Sequence, residues 1–245
     1  MASKSKKFGV LPNKLIIIKN KDKKFHEKWK KDRDLLDIPL PFRSLIVGPP
    51  SCGKSNIIVN LIIKRKKLFP FVCVVHAQPE TTIEYDDLQV SQIRDTIPSA
   101  QEIETMSENP TDPKLIIIDD LILDKLPKED QQNLFQLYSY CSTHQNVSIV
   151  TTLKDLFTIA PVITKMTNLF VIFKANSKNY LTNIADRINV DPDALKQFFE
   201  SDCDSHTSFW HDQTTDSPAP YRKDGTIPLV IEYEAGLYGP RKHHL

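Results

Sequence analysis

The sequence is poor in cysteine and has no long apolar run. Its four cysteines are Cys52, Cys73, Cys141 and Cys203. No two of them lie close together in the chain, which excludes a zinc knuckle and a disulfide framework. Apolar stretches such as 115–118 are far shorter than the roughly 18 residues that a membrane-spanning helix needs. The sequence therefore predicts reduced thiols and no membrane span.

The N-terminus also lacks the apolar core of a secretory signal, because Lys6 and Lys7 lead into a short run that contains Pro12. We therefore expect the protein to stay inside the cell. The net charge of the 245 residues is only +1, yet basic residues crowd between Lys14 and Arg33. Such a segment either neutralises the phosphates of nucleic acid or forms a solvated face, and the sequence leaves both interpretations open.

After residue 44, short apolar runs alternate with longer amphipathic ones, which is typical of a parallel sheet wrapped by helices. The predicted strands are 45–47, 72–76, 115–119, 147–151 and 169–173, with an edge strand at 227–233. The predicted helices are 54–66, 128–142, 153–165, 179–188 and 191–199. The proline-rich stretch 78–113 is expected to form a loop and one or two short helices. The pattern predicts an α/β fold with a mainly parallel central sheet flanked by helices.

A phosphate-binding motif follows the first of these strands. Its residues are Gly48, Pro49, Pro50, Ser51, Cys52, Gly53, Lys54 and Ser55, and the helix then continues from Asn56. They match G-x-x-x-x-G-K-S between a strand and a helix, so the context fits a P-loop as well as the letters do. Backbone N–H groups of such a loop bind phosphates, Lys54 adds a point charge, and the Ser55 hydroxyl ligates Mg²⁺. The predicted ligands are ATP and Mg²⁺, bound by residues 48–56.

A second motif ends the strand 115–119 with two acids, Asp119 and Asp120. Asp119 is predicted to hold Mg²⁺ through water, and Asp120 to orient or deprotonate the attacking water. An acid directly after the first one favours the ASCE, RecA-like class of P-loop NTPases. Nucleotide kinases fit less well because the chain has no cluster of arginines, and no guanine-reading N-K-x-D signature follows the loop. The sequence predicts an ATP hydrolase.

The fourth predicted strand brings Thr151 and Thr152 to the edge of the sheet where ligands of open α/β folds bind. Either hydroxyl is a candidate sensor of the γ-phosphate, and a β-branched strand terminus explains both residues equally well. We take Thr151 as the catalytic residue, beside Lys54 and Asp120. We divide the chain into a basic segment (1–40), a P-loop ATPase core (41–200) and a C-terminal extension that packs on the core (201–245).

These residues resemble the FtsK–HerA superfamily, and within it the genome-packaging ATPases of large double-stranded DNA viruses, virophages and related elements. The resemblance covers about 42–173. It rests on the loop, the Ile-Ile-Ile-Asp-Asp strand end, the His-Gln-Asn-Val-Ser-Ile run at 144–149, and Leu156-Phe157 followed by Asn168. The chain departs from the family in having threonines where a sensor Gln is usual, and in lacking an Arg shortly before Asn168, where Lys165 is the nearest cation.

The resemblance implies a homo-oligomeric ring, pentameric or hexameric, that uses ATP to pull double-stranded DNA into a capsid. It also implies a capsid vertex protein as partner, and a place in the cytoplasm of an infected cell, in the viral factory, or with the virion. An Arg or Lys would act across the ring interface, with Arg94, Lys165 and Arg187 as candidates. A DNA helicase, a partitioning ATPase and a nucleotide-dependent assembly module remain as alternatives.

Overall fold

A computed structural model describes residues 8–9, 38 and 40–231, except 66, 86, 87, 89, 176, 202, 215, 216 and 218. The strands are β1 (Phe8–Gly9), β2 (Arg43–Val47), β3 (Phe71–His76), β4 (Gln92–Arg94), β5 (Lys114–Asp119), β6 (Val147–Leu153), β7 (Leu169–Phe173), β8 (Ser208–Asp212), β9 (Tyr221–Lys223) and β10 (Ile227–Ile231). The helices are α1 (Lys54–Arg65), α2 (Ala100–Thr105), α3 (Lys128–Gln136), α4 (Ser142–His144), α5 (Pro161–Met166), α6 (Lys178–Arg187) and α7 (Pro192–Glu200).

The strands form one sheet in the order β1-β10-β9-β8-β7-β2-β6-β5-β3-β4. The strands from β7 to β4 in this order are parallel, and β8, β9, β10 and β1 continue the sheet as antiparallel neighbours. Every residue of β5 and β6 is buried, as expected for parallel strands covered on both faces. The five predicted core strands and the mainly parallel sheet are therefore confirmed.

Helices cover both faces of this sheet. On one face α1 packs Ile58, Leu61 and Ile62 against the strands, a spacing that places these side chains on one side of a helix. On the other face α3, α6 and α7 contribute to a second apolar cluster. The predicted helix 128–142 is present, although a π-helical turn, Leu137–Cys141, joins α3 to α4. The predicted helices at 179–188 and 191–199 are α6 and α7 within one residue at each end.

The predicted helix 153–165 is wrong over its first half. Leu153 still pairs with Val47, so β6 runs to that residue. The Asp155 carboxylate then accepts a hydrogen bond from the Phe157 amide and caps a 3₁₀ turn, Leu156–Thr158. The helix begins only at Pro161, because proline fits the first turn of a helix better than its interior.

The stretch 78–113 contains the short helix that we expected, α2, and also a strand that we did not, β4. The C-terminal part holds two further unexpected strands, β8 and β9, which extend the sheet beyond β7. The predicted edge strand 227–233 is present as β10, but β1 pairs with its outer side. Residues 232–233 and nearly all of the basic segment 1–40 lie outside the described residues. Among the helices that the structure describes, none is both long and apolar enough to cross a membrane.

Candidate functional site

The predicted P-loop connects β2 to α1, and two of its backbone positions lie in the left-handed region. Ser51 has a φ of 60° and Gly53 a φ of 110°, and the latter favours glycine strongly. At Gly48 a Cβ atom would lie 2.7 Å from the Cys52 sulfur and 2.7 Å from the Phe173 Cβ. The motif's two glycines are thus required by local geometry, one by its backbone angle and the other by its close neighbours.

The cationic group of the loop lies against its own backbone. Lys54 Nζ donates hydrogen bonds to the carbonyl oxygens of Gly48 and Pro49, each at 2.8 Å. The Ile57 amide donates to the Gly53 carbonyl at 3.1 Å, so the helix is regular from its first turn. The early backbone N–H groups of a helix have no partner within it and favour an anion. Around them, Ser55 is half-buried, whereas Pro49, Pro50, Ser51 and Asn56 are exposed.

The first acid is buried at the end of β5. Asp119 is 4% exposed, and each of its carboxylate oxygens accepts a hydrogen bond of 2.6 Å, one from the Thr152 hydroxyl and one from the Tyr85 hydroxyl. Burial, followed by the charge of Asp119, raises the pKa of Tyr85 far above its usual range, so this phenol remains a donor. The carboxylate is therefore fixed in orientation while keeping lone pairs for further ligands.

The second acid has the opposite environment. Asp120 has a φ of 53°, a conformation that non-glycine residues rarely adopt. Its amide donates to the Thr152 hydroxyl at 3.1 Å, and its exposed carboxylate forms an ion pair of 2.7 Å with Lys154. The Thr152 hydroxyl thus contacts both acids. It donates to the Asp119 carboxylate and accepts from the Asp120 backbone amide.

The choice of Thr151 as a catalytic residue is contradicted by this geometry. Thr151 is fully buried and its hydroxyl lies 2.8 Å from that of Tyr138, a residue of the apolar cluster on the sheet face opposite α1. Because side chains alternate along a strand, Thr152 lies on the other face. On that face the Thr152 hydroxyl donates its hydrogen bond to the Asp119 carboxylate. Thr152 is therefore the residue that the structure brings to the acids.

The strands β2 and β6 hold the loop and the acids together. The Gly48 amide donates to the Leu153 carbonyl at 3.0 Å, directly between Thr152 and Lys154. Lys154 also lines a cavity of about 120 Å³ with Gly48 and Pro49. The predicted residues of both motifs consequently converge at the carboxyl edge of the parallel strands, whereas Thr151 faces the opposite side of the sheet.

A larger cavity of about 300 Å³ lies on the other side of the loop. Its walls include Gly53, Asn56, Asn60, Phe173 and Trp210. The ring of Trp210 is held by the turn after β9, where a Cβ on Gly225 would come within 3.1 Å of it. No local motif connects Trp210 with the loop, because the two are about 160 positions apart and only the strand order brings them together.

His206 closes this cavity next to the loop. Its Nδ1 lies 3.2 Å from the Cys52 carbonyl oxygen, although the histidines are dispersed along the sequence. Burial raises the pKa of the Cys52 thiol, which keeps it a neutral group filling space beneath the loop. Among the residues that the structure describes, no group of three His, Cys, Asp or Glu side chains is arranged to hold a metal.

The three candidates for a residue that acts across a ring interface lie apart. Arg94 on β4 forms an ion pair of 2.9 Å with Glu102. Lys165 lies exposed on α5. Arg187 ends α6 with its guanidinium 5.8 Å from the centre of the Phe157 ring. Their proposed role stays a prediction.

The fold is similar to those of several solved ATPases. B204, the DNA-packaging ATPase from Sulfolobus turreted icosahedral virus, gives a TM-score of 0.54 at 11% identity, over 75% of this chain and 97% of B204. The genome packaging NTPase B204 from Sulfolobus turreted icosahedral virus 2, in complex with AMPPCP, gives 0.51 at 14% identity, over 75% and 96%.

The pCW3 conjugation coupling protein TcpA, with ATPγS, gives a TM-score of 0.52 at 12% identity, over 78% of this chain and 61% of TcpA. No protein-family model matches the sequence, and no curated protein does. The structural similarities confirm the predicted fold: the chain has an α/β fold with a mainly parallel central sheet flanked by helices, as P-loop NTPases do, and in fold it resembles genome-packaging ATPases of the FtsK–HerA type.

Proposed function

We propose that this chain is a Mg²⁺-dependent ATPase that drives double-stranded DNA into a viral capsid. The observation that carries the proposal is the convergence of the phosphate loop with a hydrogen-bonded acid pair. The Gly48 amide bonds the end of β6, and Thr152 on that strand bonds both Asp119 and Asp120. A phosphate-binding loop beside a fixed acid and an exposed acid is the arrangement that ATP hydrolysis needs.

Each group has a role that its environment supports. Lys54 and the first amides of α1 bind the phosphates, and Lys54 leaves the loop carbonyls for the more highly charged ligand. The Ser55 hydroxyl and the Asp119 carboxylate offer the oxygen donors that Mg²⁺ prefers, and Asp119 would act through a water bound to the lone pairs that its two hydrogen bonds leave free. Bound Mg²⁺ neutralises charge on the phosphates. Asp120, whose carboxylate is exposed, orients the attacking water.

The nucleoside lies in the cavity beside α1. The cavity begins at Gly53 and Asn56, where the loop becomes helix, and reaches Trp210 on β8, whereas Asp120 follows β5 on the other side of β2 in the strand order. Its volume of about 300 Å³ is at the lower end for small-molecule sites, and apolar walls with a few amides suit a base and ribose. The triphosphate therefore extends from this cavity across the loop, with its γ end towards Asp120.

The coupling to DNA rests on the similarity to packaging ATPases and on the basic segment between Lys14 and Arg33. Contacts to duplex DNA are made mainly with its phosphates, without reading of bases. The subunits form a pentameric or hexameric ring at a capsid vertex protein, in the cytoplasm of an infected cell. One of Arg94, Lys165 or Arg187 completes the neighbouring site, and residues 201–245 extend the core.

The test is steady-state ATP hydrolysis by the full chain with Mg²⁺, with and without double-stranded DNA, over a range of salt concentrations. We expect DNA to stimulate turnover, salt to abolish the stimulation, and Lys54→Ala and Asp120→Asn to lose at least about 100-fold in kcat. Asp124→Asn, which changes another exposed acid after β5, is the matched control and should keep wild-type turnover.

The alternatives predict different results. Strand separation in a duplex-unwinding assay would indicate a helicase. Turnover that ignores DNA, or nucleotide binding without turnover, would contradict the packaging proposal and favour an assembly module.

A further inference from the structure

Lys154 occupies a position between the two motifs that neither motif accounts for. It directly follows β6, and its Nζ lies 2.7 Å from an Asp120 oxygen. The two side chains are 58% and 53% exposed. An ion pair with this much solvent access contributes little to stability, so its energy does not explain why these two groups are held together at the edge of the site.

The backbone on both sides of this ion pair is fixed. Leu153, the residue before Lys154, accepts the Gly48 amide hydrogen bond, and the Asp120 amide is bonded to Thr152. The backbone at both residues is therefore held in place, and only the side chain of Lys154 is free to move. Its four-carbon stem is long enough for the ammonium group to change partners without a backbone movement.

The same side chain also borders the phosphate loop. Lys154 lines a cavity with Gly48 and Pro49, and these are the two residues whose carbonyl oxygens bind Lys54. Two lysines thus flank the start of the loop, Lys54 on α1 and Lys154 directly after β6. A triphosphate at the loop would carry more negative charge than the single carboxylate that Lys154 contacts in this structure.

We propose that Lys154 is a second catalytic lysine, which exchanges Asp120 for the γ-phosphate when ATP binds. The exchange frees the Asp120 carboxylate to orient water. That water attacks the γ-phosphorus, the bond from this phosphorus to the bridging oxygen breaks, ADP and inorganic phosphate form, and the proton from water passes to solvent. Lys154 stabilises the negative charge on the γ-phosphoryl oxygens. This inference rests on the proposed ATPase function.

The test compares the binding of ATPγS and ADP, each with Mg²⁺, by competition against a fluorescent nucleotide. Because Lys154 contacts only the γ-phosphate, Lys154→Met should weaken ATPγS binding about tenfold and leave ADP binding within about twofold. Its kcat should fall as well. Lys154→Arg, which keeps the charge, should restore most of the preference for ATPγS.

The control is Lys196→Met, which removes the 3.8 Å ion pair between half-buried Lys196 and exposed Asp193 on α7 and should behave as wild type in both measurements. An unchanged ratio of ATPγS to ADP affinity in Lys154→Met, or an equal loss for both nucleotides, would overturn the role of Lys154. If wild type hydrolyses ATP, that outcome leaves the proposed function intact. If wild type neither hydrolyses ATP nor binds ATPγS, the proposed function itself fails.

Discussion

The two sides of the phosphate loop differ in the kind of contact that organises them. On the β5–β6 side, short hydrogen bonds join Asp119, Thr152 and the Asp120 amide. On the β8 side, Phe173 and Trp210 form apolar walls of an open cavity. The β5–β6 side fixes the orientation of charged groups, whereas the β8 side provides an apolar surface of defined shape. A nucleotide needs both, since its phosphates are recognised by charge and its base by packing.

This difference predicts which kinetic quantity each side controls. Groups that act on the γ-phosphate change the chemical step and appear in kcat, whereas groups that bind the base equally in the ground and transition states appear in KM. Substitutions on the β5–β6 side should therefore change mainly kcat, and substitutions on the β8 side should change mainly KM.

Among the substitutions that compare the two sides, the largest effect is expected for Thr152→Val, which removes the donor to Asp119 and the acceptor for the Asp120 amide. We expect kcat to fall by about 10- to 100-fold because neither acid keeps its orientation. The adjacent Thr151→Val is the matched control. It removes the contact to Tyr138 and should leave kcat within about threefold.

Both threonine variants should also lose about 1–3 kcal/mol of unfolding free energy, because each removes a buried side-chain hydrogen bond. Similar losses of unfolding free energy in urea denaturation would show that the two substitutions perturb the fold to the same extent. A fall in kcat for Thr151→Val as large as that for Thr152→Val would contradict the assignment of the two faces of β6.

A smaller effect is expected on the cavity side from Asn60→Trp, which fills the cavity with an indole. Affinity for ATP should fall about tenfold because the base loses its space, while affinity for inorganic triphosphate stays unchanged. Isothermal titration calorimetry measures both ligands. Ile63→Trp introduces the same side chain at an exposed position of α1 outside the cavity lining, and should bind ATP as wild type does. Equal weakening by both variants would argue against a base in this cavity.

The two sides also differ in how far sequence predicts them. The loop and the acids follow strands that are recognisable as apolar runs, and their motifs are local. A local motif does not tell whether Thr151 or Thr152 contacts the acids, because the answer depends on which face of β6 lies beside Asp119. In the structure Ile118 pairs with Thr151. Because side chains alternate along a strand, the next residues, Asp119 and Thr152, lie together on the opposite face.

The cavity side could not be predicted because β8 lacks a strand-like sequence pattern. All five of its residues are buried, although three of them, Ser208, His211 and Asp212, are polar. Asp212 is satisfied by Arg222 at 3.2 Å and by hydroxyls of the following turn. An alternating pattern arises only when one face is solvated, so a polar strand buried on both faces gives no periodic signal.

The effect with the least bearing on turnover concerns stability, and arises from His211 on β8. Burial lowers the pKa of this histidine to about 4, and its Nδ1 is buried without a hydrogen-bond partner. In the unfolded chain the pKa is about 6.5. Between these values the unfolded state binds a proton that the folded state does not, so stability falls as pH decreases from 6.5 towards 4.

The loss due to His211 amounts to about 3 kcal/mol at most. His211→Phe retains a ring that packs against Tyr221, whose ring centre lies 4.9 Å from that of His211, and has no proton to bind. Urea unfolding at pH 7.5 and pH 5 should therefore give a smaller loss of stability for His211→Phe than for wild type. Carboxylates titrate in both proteins and cancel in this difference. Equal losses would show that β8 admits the charged imidazole, and would place His211 in a less buried environment than the fold indicates.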